Sequence, residues 1–286
     1  MSHRSAAADG DLDGDGIADA IERQAAYVRA GGRVDHKDVW VECDYMRGQR
    51  PAAGVERQAV KTFNRAPLPN PDGTRGVTLH LSVDDVIPFE RSWGDVTQPD
   101  GFRQTRSRLL ATRDEYMDGD PSYVHYCVFV NQISPSGISG ISMDSTGGLW
   151  IPGDMFIVAL GGPWGPAGRE LGIRTGTLIH ELGHNLGLRH GGVDHTNYKP
   201  NYISVMNYLY QEGFVESGPA GPRRATHWDY SRFKARNLNE KALDEPAGIT
   251  AAKWFASRFI GYRLCDTAFR SFYFRFNRPI DWNCDG

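Results

Sequence analysis

The chain is poor in cysteine and in excess charge, with four cysteines and a formal net charge of -3 at pH 7 among 286 residues. No apolar run approaches the roughly 18 residues that cross a bilayer, so we expect no membrane insertion. The charge balance favours neither nucleic acid nor an anionic membrane as a partner. The N-terminal stretch MSHRSAAADGDLDGDG lacks the apolar core of a secretory signal, although such a signal could have been removed before it.

The cysteines, Cys43, Cys127, Cys265 and Cys284, lack the close CxxC spacing of zinc knuckles and redox motifs. We expect disulfides, with Cys265 bonded to Cys284, and Cys43 bonded to Cys127 if their strands are neighbours. In the alternative, Cys43 and Cys127 are buried free thiols. Disulfides are typical of proteins outside the cytoplasm, and so is the calcium-loop pattern described below. We therefore expect the protein to be secreted.

The hydrophobic content of 40% is enough for a globular chain of this length to bury a full core. Residue periodicity predicts helices at 18–30 and 54–65, strands at 38–45, 77–83, 123–131 and 155–160, and short helices between 235 and 259. The sequence therefore predicts an α/β (α+β) fold in which helices cross a sheet.

The most informative segment runs from His180 to His190 and reads HELGHNLGLRH, which matches the pattern HExxHxxGxxH. On a helix, His180 and His184 lie one turn apart on the same face and can bind one metal ion. Glu181 then lies near the fourth coordination position. His190 reaches the same metal only if the chain turns, which Gly187 permits through a left-handed backbone. Three histidines and an open position are typical of catalytic zinc.

An alternative interpretation of this segment is an amphipathic helix with solvent-facing histidines. Its apolar stripe would consist of Leu178, Ile179, Leu182 and Leu186. The long pattern argues against this alternative, because its five fixed residues rarely coincide by chance. Since the motif already supplies three ligands, we expect His195 and His227 to be surface or hydrogen-bonded histidines.

The segment SVMNY, which contains Met206 and Tyr208, follows the histidine motif. Together the two segments resemble the metzincin clan of zinc endopeptidases, with the dense match between about residues 177 and 208. The resemblance implies that Met206 forms an apolar floor beneath the metal, and that Tyr208 can approach the zinc or the oxyanion. Gly191, after the third histidine, differs from the residue found in astacins, serralysins, adamalysins and matrixins. The segment looks more like bacterial secreted metzincins.

The resemblance implies a metzincin-like catalytic domain with a twisted mixed sheet and a less regular C-terminal subdomain. It also implies hydrolysis of internal bonds in a protein or peptide substrate, by a zinc-activated water with Glu181 as the general base. An edge strand, placed at 137–142, would pair with the substrate. Two alternatives stay open: a calcium-stabilised, zinc-binding adhesin or interaction module, and a narrow-specificity peptidase or amidase. We expect a monomer.

A second metal-binding pattern near the N-terminus matches positions 1, 3, 5, 6, 9 and 12 of an EF-hand calcium loop, and Ile17 at position 7 would offer its backbone carbonyl. The predicted calcium ligands are the carboxylates of Asp11, Asp13, Asp15, Asp19 and Glu22 and the carbonyl of Ile17. No entering helix precedes the loop, so it resembles the one-helix loops of dockerins and thrombospondin repeats. The alternative is a disordered acidic leader. Residues 281–286 repeat the start of such a loop, either as part of a further repeat or by coincidence.

These features divide the chain into three parts. Residues 1–34 form a leader with the calcium loop and a helix, and residues 35–190 form an N-terminal catalytic subdomain with the zinc-binding helix. Residues 191–286 form a C-terminal subdomain that contains the Met-turn.

Overall fold

A computed structural model describes residues 10–145, 152–199, 201–218, 221–232, 259–264, 271–274 and 278–280. The α-helices are α1 Asp19–Glu22, α2 Ala25–Arg29, α3 Ala53–Asn64, α4 Pro99–Tyr116 and α5 Leu171–Asn185. Short 3-10 turns lie at Gly162–Trp164 and Ala167–Arg169. The strands are β1 Asp38–Met46, β2 Thr78–Ile87, β3 Val124–Val130, β4 Gly140–Met143, β5 Met155–Ala159, β6 Phe214–Gly218, β7 Gly221–His227, β8 Phe259–Leu264 and β9 Ser271–Phe274. Among these residues, no helix is both long and apolar enough to cross a bilayer.

The main sheet has five strands in the order β2-β1-β3-β5-β4. The strands β2, β1, β3 and β5 run parallel, whereas β4 pairs antiparallel with β5 at the edge. The sequences VHYCVFV of β3 and MFIVA of β5 are almost wholly apolar and buried, as expected for parallel strands covered on both faces. The structure thus confirms the predicted α/β fold with a mixed sheet.

Alternate residues of the central strands enter two separate hydrophobic cores. Phe129 packs in the core that lies against α3 and α5, whereas its neighbour Val128 packs in the core that contains Leu109 of α4. The connections β1-α3-β2 and β2-α4-β3 therefore place their helices on opposite faces of the sheet, as crossover chirality requires. A second, four-stranded antiparallel sheet has the order β7-β6-β8-β9. Short helices were predicted between 235 and 259; residues 235–258 lie outside the described residues, and Phe259 begins β8.

The helix predicted over 18–30 is divided into α1 and α2, because Gln24 has an extended backbone with ψ of 139°. The break allows the ring of Tyr27 to pack in the interior against the rings of Trp40 and Tyr123, at centroid distances of 5.2 and 5.3 Å. Burial of this aromatic side chain offsets the loss of a continuous helix. The expectation of one helix was therefore wrong.

The expected disulfide between Cys43 and Cys127 is also absent, although the two residues are register partners on β1 and β3. Both are buried free thiols, which confirms the alternative interpretation. Burial and the neighbouring Cys43 raise the pKa of the Cys127 thiol well above its usual value. Oxidation requires a thiolate, which this apolar core disfavours. Cys265 and Cys284 lie outside the described residues.

Candidate metal centre

The end of α5 turns the chain back toward the helix. Gly187 has φ of 92°, and its N–H donates to the His184 carbonyl at 2.9 Å. The N–H of Leu188 donates to the carbonyl of Gly183 at 2.8 Å. These two bonds form a Schellman motif, whose left-handed residue favours glycine. The structure confirms the turn predicted at Gly187, which directs the chain so that His190 returns to the helix.

The three histidines of the motif meet in the interior of the protein. One ligand atom from each of His180, His184 and His190 lies within 4.8 Å of the others, and all three residues are buried. The Nε2 atoms of His184 and His190 are 3.2 Å apart. Tetrahedral zinc with its nitrogen ligands at the usual distance separates those nitrogens by about 3.3 Å. The donor set and its spacing therefore fit a zinc ion.

Two backbone carbonyls set the orientation of the rings. His180 Nδ1 lies 2.8 Å from the carbonyl oxygen of Val205, and His184 Nδ1 lies 2.8 Å from that of Leu188. A neutral imidazole that donates from Nδ1 presents the lone pair of Nε2 to a metal. Burial lowers the pKa of His184 to about 4 and that of His180 well below its usual value. At neutral pH both rings are thus in the uncharged form that binds zinc.

Met206 packs directly against α5 between the first two histidines. It is fully buried, and a Cβ atom added to Gly183 would lie only 2.3 Å from its sulfur. The carbonyl of Val205, the preceding residue, accepts the bond from His180. The turn is braced by Asn207, whose Nδ2 donates to the carbonyls of Lys199 and Tyr202. Sequence reasoning found Met206 but missed Val205 and Asn207, because no motif marks a backbone carbonyl or its brace.

Tyr208 lies at the border between the histidines and solvent. Its side chain is 44% exposed, and its ring centroid is 4.6 Å from that of His190 and 5.5 Å from that of His180. Burial of part of the ring, together with the charge of Glu181, raises the pKa of the Tyr208 phenol to about 12. Tyr208 therefore keeps its proton at neutral pH and can donate a hydrogen bond.

Glu181 is only 4% exposed, and burial raises the pKa of its carboxyl to about 8. Its side chain lies against Gly140 of β4. A Cβ atom added there would come within 2.7 Å of both Cγ and Oε1 of Glu181. The absence of a side chain at Gly140 therefore makes the space that Glu181 occupies. Sequence reasoning missed this role, because one glycine in a Gly/Ser-rich stretch gives no local signal.

A cleft of about 460 Å³ opens over the histidines. It is lined by Val96, Thr97, Gln98, Pro99, Phe102, Ile138, Gly140, Ile141, Ser142, His180, Glu181, His184, His190 and Tyr208. The apolar members come mainly from α4, from the segment before it and from β4. Glu181 is the only carboxylate in this lining. The cleft therefore combines one ionisable acid, three histidines and an apolar wall.

The edge strand β4, Gly140–Met143, overlaps residues 137–142, where the sequence predicted an edge strand. Its neighbour Ser139 accepts a hydrogen bond from Ala159 N–H at 2.7 Å, and Met143 accepts one from Asp154 N–H at 3.2 Å. Backbone groups alternate in direction along an antiparallel strand, so those of Gly140 and Ser142 point away from β5. Both residues also line the cleft. The outer edge of β4 thus presents backbone donors and acceptors to the cleft.

Two further histidines lie apart from this group. The ring centroid of His195 is 6.1 Å from that of His190, but His195 does not belong to the group of potential ligands. His227 Nε2 lies 3.2 Å from the carboxylate of Asp229, as expected of a hydrogen-bonded histidine.

The predicted calcium ligands are only partly brought together. The carboxylates of Asp11, Asp13 and Asp15 each place an oxygen within 4.8 Å of the others. Asp19 lies outside this group, because its carboxylate accepts hydrogen bonds from Leu12 N–H and from Arg23. Asp19 occupies position 9 of the EF-hand pattern, and this position often reaches the ion through a water molecule. The location of Asp19 outside the carboxylate group is therefore compatible with the predicted calcium loop.

No protein-family model matches the chain, and the search of curated proteins found no match to it. Among solved structures, the chain is similar to metalloproteinase-II from Bacteroides fragilis, with 13% sequence identity and a TM-score of 0.34. The similarity covers 60% of this chain and 46% of that protein's chain. So distant a likeness carries no argument about function. What the chain itself shows is a buried three-histidine group that fits a metal such as zinc.

Proposed function

We propose that the protein is a zinc-dependent endopeptidase that hydrolyses internal peptide bonds. The observation that carries the proposal is the buried histidine group at the base of an open cleft, with the carboxylate of Glu181 beside it. A site that only stored or bound a metal would not need a buried acid facing the same cavity. The cleft therefore favours hydrolysis over a role as an adhesin.

His180, His184 and His190 would hold the zinc ion through Nε2. When bound in such a site, zinc acts as a Lewis acid that polarises a carbonyl and lowers the pKa of water. The protein supplies the orientation, because the carbonyls of Val205 and Leu188 fix two of the rings. Partners of this kind keep ligands in one tautomer and raise their basicity.

Glu181 would act as the general base and then as the general acid. Its carboxylate faces the cleft, where it can accept a proton from the attacking water and pass it to the leaving amine. A general base works best when its pKa lies near the working pH. Burial of Glu181 raises its pKa toward neutrality, which suits a group that must both take and release a proton.

Tyr208 would donate a hydrogen bond to the scissile carbonyl oxygen as negative charge develops on it. Its ring stands beside His190 at the cleft, and its raised pKa preserves the phenolic proton. A donor placed where charge appears only in the transition state lowers the barrier without tightening substrate binding. Tyr208 assists the reaction but does not replace Glu181.

The substrate would be an extended peptide that binds along the outer edge of β4. The outward backbone groups of Gly140 and Ser142 would pair with it as a further strand. Close by, Phe102, Ile138 and Ile141 provide an apolar surface. An apolar substrate side chain near the scissile bond would bury area there, whereas a charged one would lose hydration without a partner.

The proposal is tested by separating metal binding from turnover. We expect Glu181→Gln to bind one zinc per chain, measured by atomic absorption, but to cleave carboxymethylated casein about 10²–10⁴-fold more slowly. His184→Ala should lose both zinc and activity. Glu115→Gln, a change at an exposed glutamate on α4, is the matched control and should behave as wild type. Full activity in Glu181→Gln would refute this mechanism.

A further inference from the structure

We propose that Asp11, Asp13, Asp15 and Glu22 hold a calcium ion that fastens the N-terminal segment to the beginning of β1. The site is separate from the histidine group, and the inference does not depend on the proposed peptidase activity.

The loop is already folded as a cation-binding loop. The carboxylate of Asp11 accepts hydrogen bonds from Gly14 N–H at 2.7 Å and Gly16 N–H at 3.1 Å. Gly16 has φ of 94°, which lets the chain turn sharply around the centre of the loop. Oxygens from Asp11, Asp13 and Asp15 converge within 4.8 Å of one another. Such carboxylate groups match the hard oxygen ligands of calcium.

An acidic cluster alone is common on protein surfaces, but Glu22 adds an independent observation. Its side chain is 0% exposed, and neither carboxylate oxygen has a hydrogen-bond partner within the described residues. One oxygen of Asp13 is also buried without a partner. Buried carboxylates are normally paired with a cation or fully hydrogen-bonded. Glu22 occupies the EF-hand position whose two oxygens complete calcium coordination.

The charges around Glu22 point to a missing positive charge. The carboxylates of Asp15 and Asp13 lie close enough to Glu22 for their negative charges to repel its own. Glu22 therefore lies beside the loop carboxylates, although it is outside the group of three whose oxygens already converge. A divalent cation would satisfy these oxygens and remove their mutual repulsion.

The same loop is attached to the main sheet. Asp15 accepts a hydrogen bond from the N–H of Asp38, the first residue of β1, at 2.8 Å. The side chain of Lys37 donates to the carbonyl of Asp13. Asp38 in turn accepts bonds from Tyr27 hydroxyl at 3.1 Å and Arg33 N–H at 2.8 Å. An ion that orders the loop would therefore stabilise the start of β1 and the packing of α2 on it.

The ion should be calcium in preference to magnesium. The loop offers several carboxylates and the Ile17 carbonyl, an irregular oxygen set that suits the larger ion. Magnesium requires near-ideal octahedral geometry and retains its water more strongly.

The test measures calcium binding and thermal stability in the full chain. Protein freed of divalent ions and reloaded with one equivalent of zinc is titrated with calcium chloride by calorimetry, using Glu181→Gln to prevent self-cleavage. We expect one calcium site and a higher Tm in calcium, with a smaller rise in magnesium. Adding Glu22→Gln should weaken calcium binding at least about tenfold, while adding Glu115→Gln should leave it unchanged.

Glu22→Gln also distinguishes a metal ligand from a merely structural acid. Without calcium, it should equal or exceed the parent in Tm, because it removes a buried charge; with calcium, it should fall below the parent. The proposal is overturned if the parent shows no calcium-dependent heat or Tm shift. It is equally overturned if Glu22→Gln lowers Tm by the same amount with and without calcium. Neither result depends on peptide cleavage.

Discussion

At the scale of the residue, Glu181 can take its observed position only because the residue beside it, Gly140, is a glycine. Gly140 has no Cβ, and the space that this atom would fill is occupied by Cγ and Oε1 of Glu181. The carbonyl of Ile157 lies equally close, at 2.7 Å from the same point, so the strand cannot shift freely to make room. Any larger residue must displace the carboxylate.

We therefore expect Gly140→Ala to retain zinc but to lower kcat by about 10–100-fold, since small displacements of a reacting group have effects of this size. Zinc content and steady-state kinetics measure the two properties separately. Gly54→Ala on α3 is the control, because its new methyl group meets only the flexible ends of two side chains, Leu171 at 3.1 Å and Arg57 at 3.8 Å. Unchanged kcat in Gly140→Ala would show that Glu181 needs no such space.

The sequence predicted the side chains of the site but not what orients them. The spacing of His180, His184 and His190 was enough to predict their convergence, because a helix and one left-handed glycine determine it. The bond from His180 to the carbonyl of Val205 could not be predicted. It joins residues 25 apart in sequence, and any residue type supplies the same backbone oxygen.

At the scale of the element, the C-terminal end of α5 is anchored to the sheet by one buried amide. In the orientation that satisfies all its partners, Asn185 donates to Ser142 Oγ and to the Met155 carbonyl, and accepts from Met155 N–H and His125 Nδ1. A single side chain thus links the helix to β3, β4 and β5. Because His184 precedes it directly, this anchor also positions a proposed zinc ligand.

Burial lowers the pKa of His125, one of the partners of Asn185, to about 4. The stability of the protein should therefore depend on pH through this histidine. A depressed histidine pKa contributes stability that is present above about pH 6.5 and is lost as pH falls toward 4. We expect the free energy of unfolding of wild type to fall about 2–3 kcal/mol more than that of His125→Gln between pH 7.5 and 4.5. Urea titrations at both pH values measure this difference. Parallel losses in the two proteins would contradict the assignment.

Element prediction from sequence succeeded where the pattern was strong. The apolar runs of β3 and β5 and the alternation in β1 were found close to their observed ends. The helix α4 was missed, because only Thr105 and Leu109 are buried among its 18 residues, so that no apolar stripe marks it. The division between α1 and α2 was missed because it depends on the tertiary packing of Tyr27.

At the scale of the whole molecule, the cleft is formed between α4 and the edge of the main sheet. Phe102 of α4 faces the same cavity as Ile141 of β4 and the histidines of α5. Three elements that are far apart in sequence therefore provide the proposed substrate surface. This arrangement follows from the crossover that places α4 on its face of the sheet, which the local sequence of α4 does not reveal.

We expect Phe102→Ala to reduce kcat/KM about tenfold for peptides with a large apolar side chain near the scissile bond, the usual effect of losing apolar contact in a pocket. Peptides with alanine at that position should be affected less. Phe89→Ala, at an exposed phenylalanine outside the cleft lining, is the control. An equal loss for both peptides would show that Phe102 maintains the fold instead of binding substrate.

Whether the histidine group performs peptide hydrolysis can be decided by mass-spectrometric mapping of cuts in a diverse peptide mixture. Wild-type protein with one zinc per chain is compared with the same protein after chelation and with Glu181→Gln. We expect cuts at internal bonds in the first sample, none after chelation, and the same cuts at least about 10²-fold more slowly with Glu181→Gln. Intact peptides despite bound zinc, or cleavage by Glu181→Gln at the wild-type rate, would show that the histidine group does not hydrolyse peptides in this way.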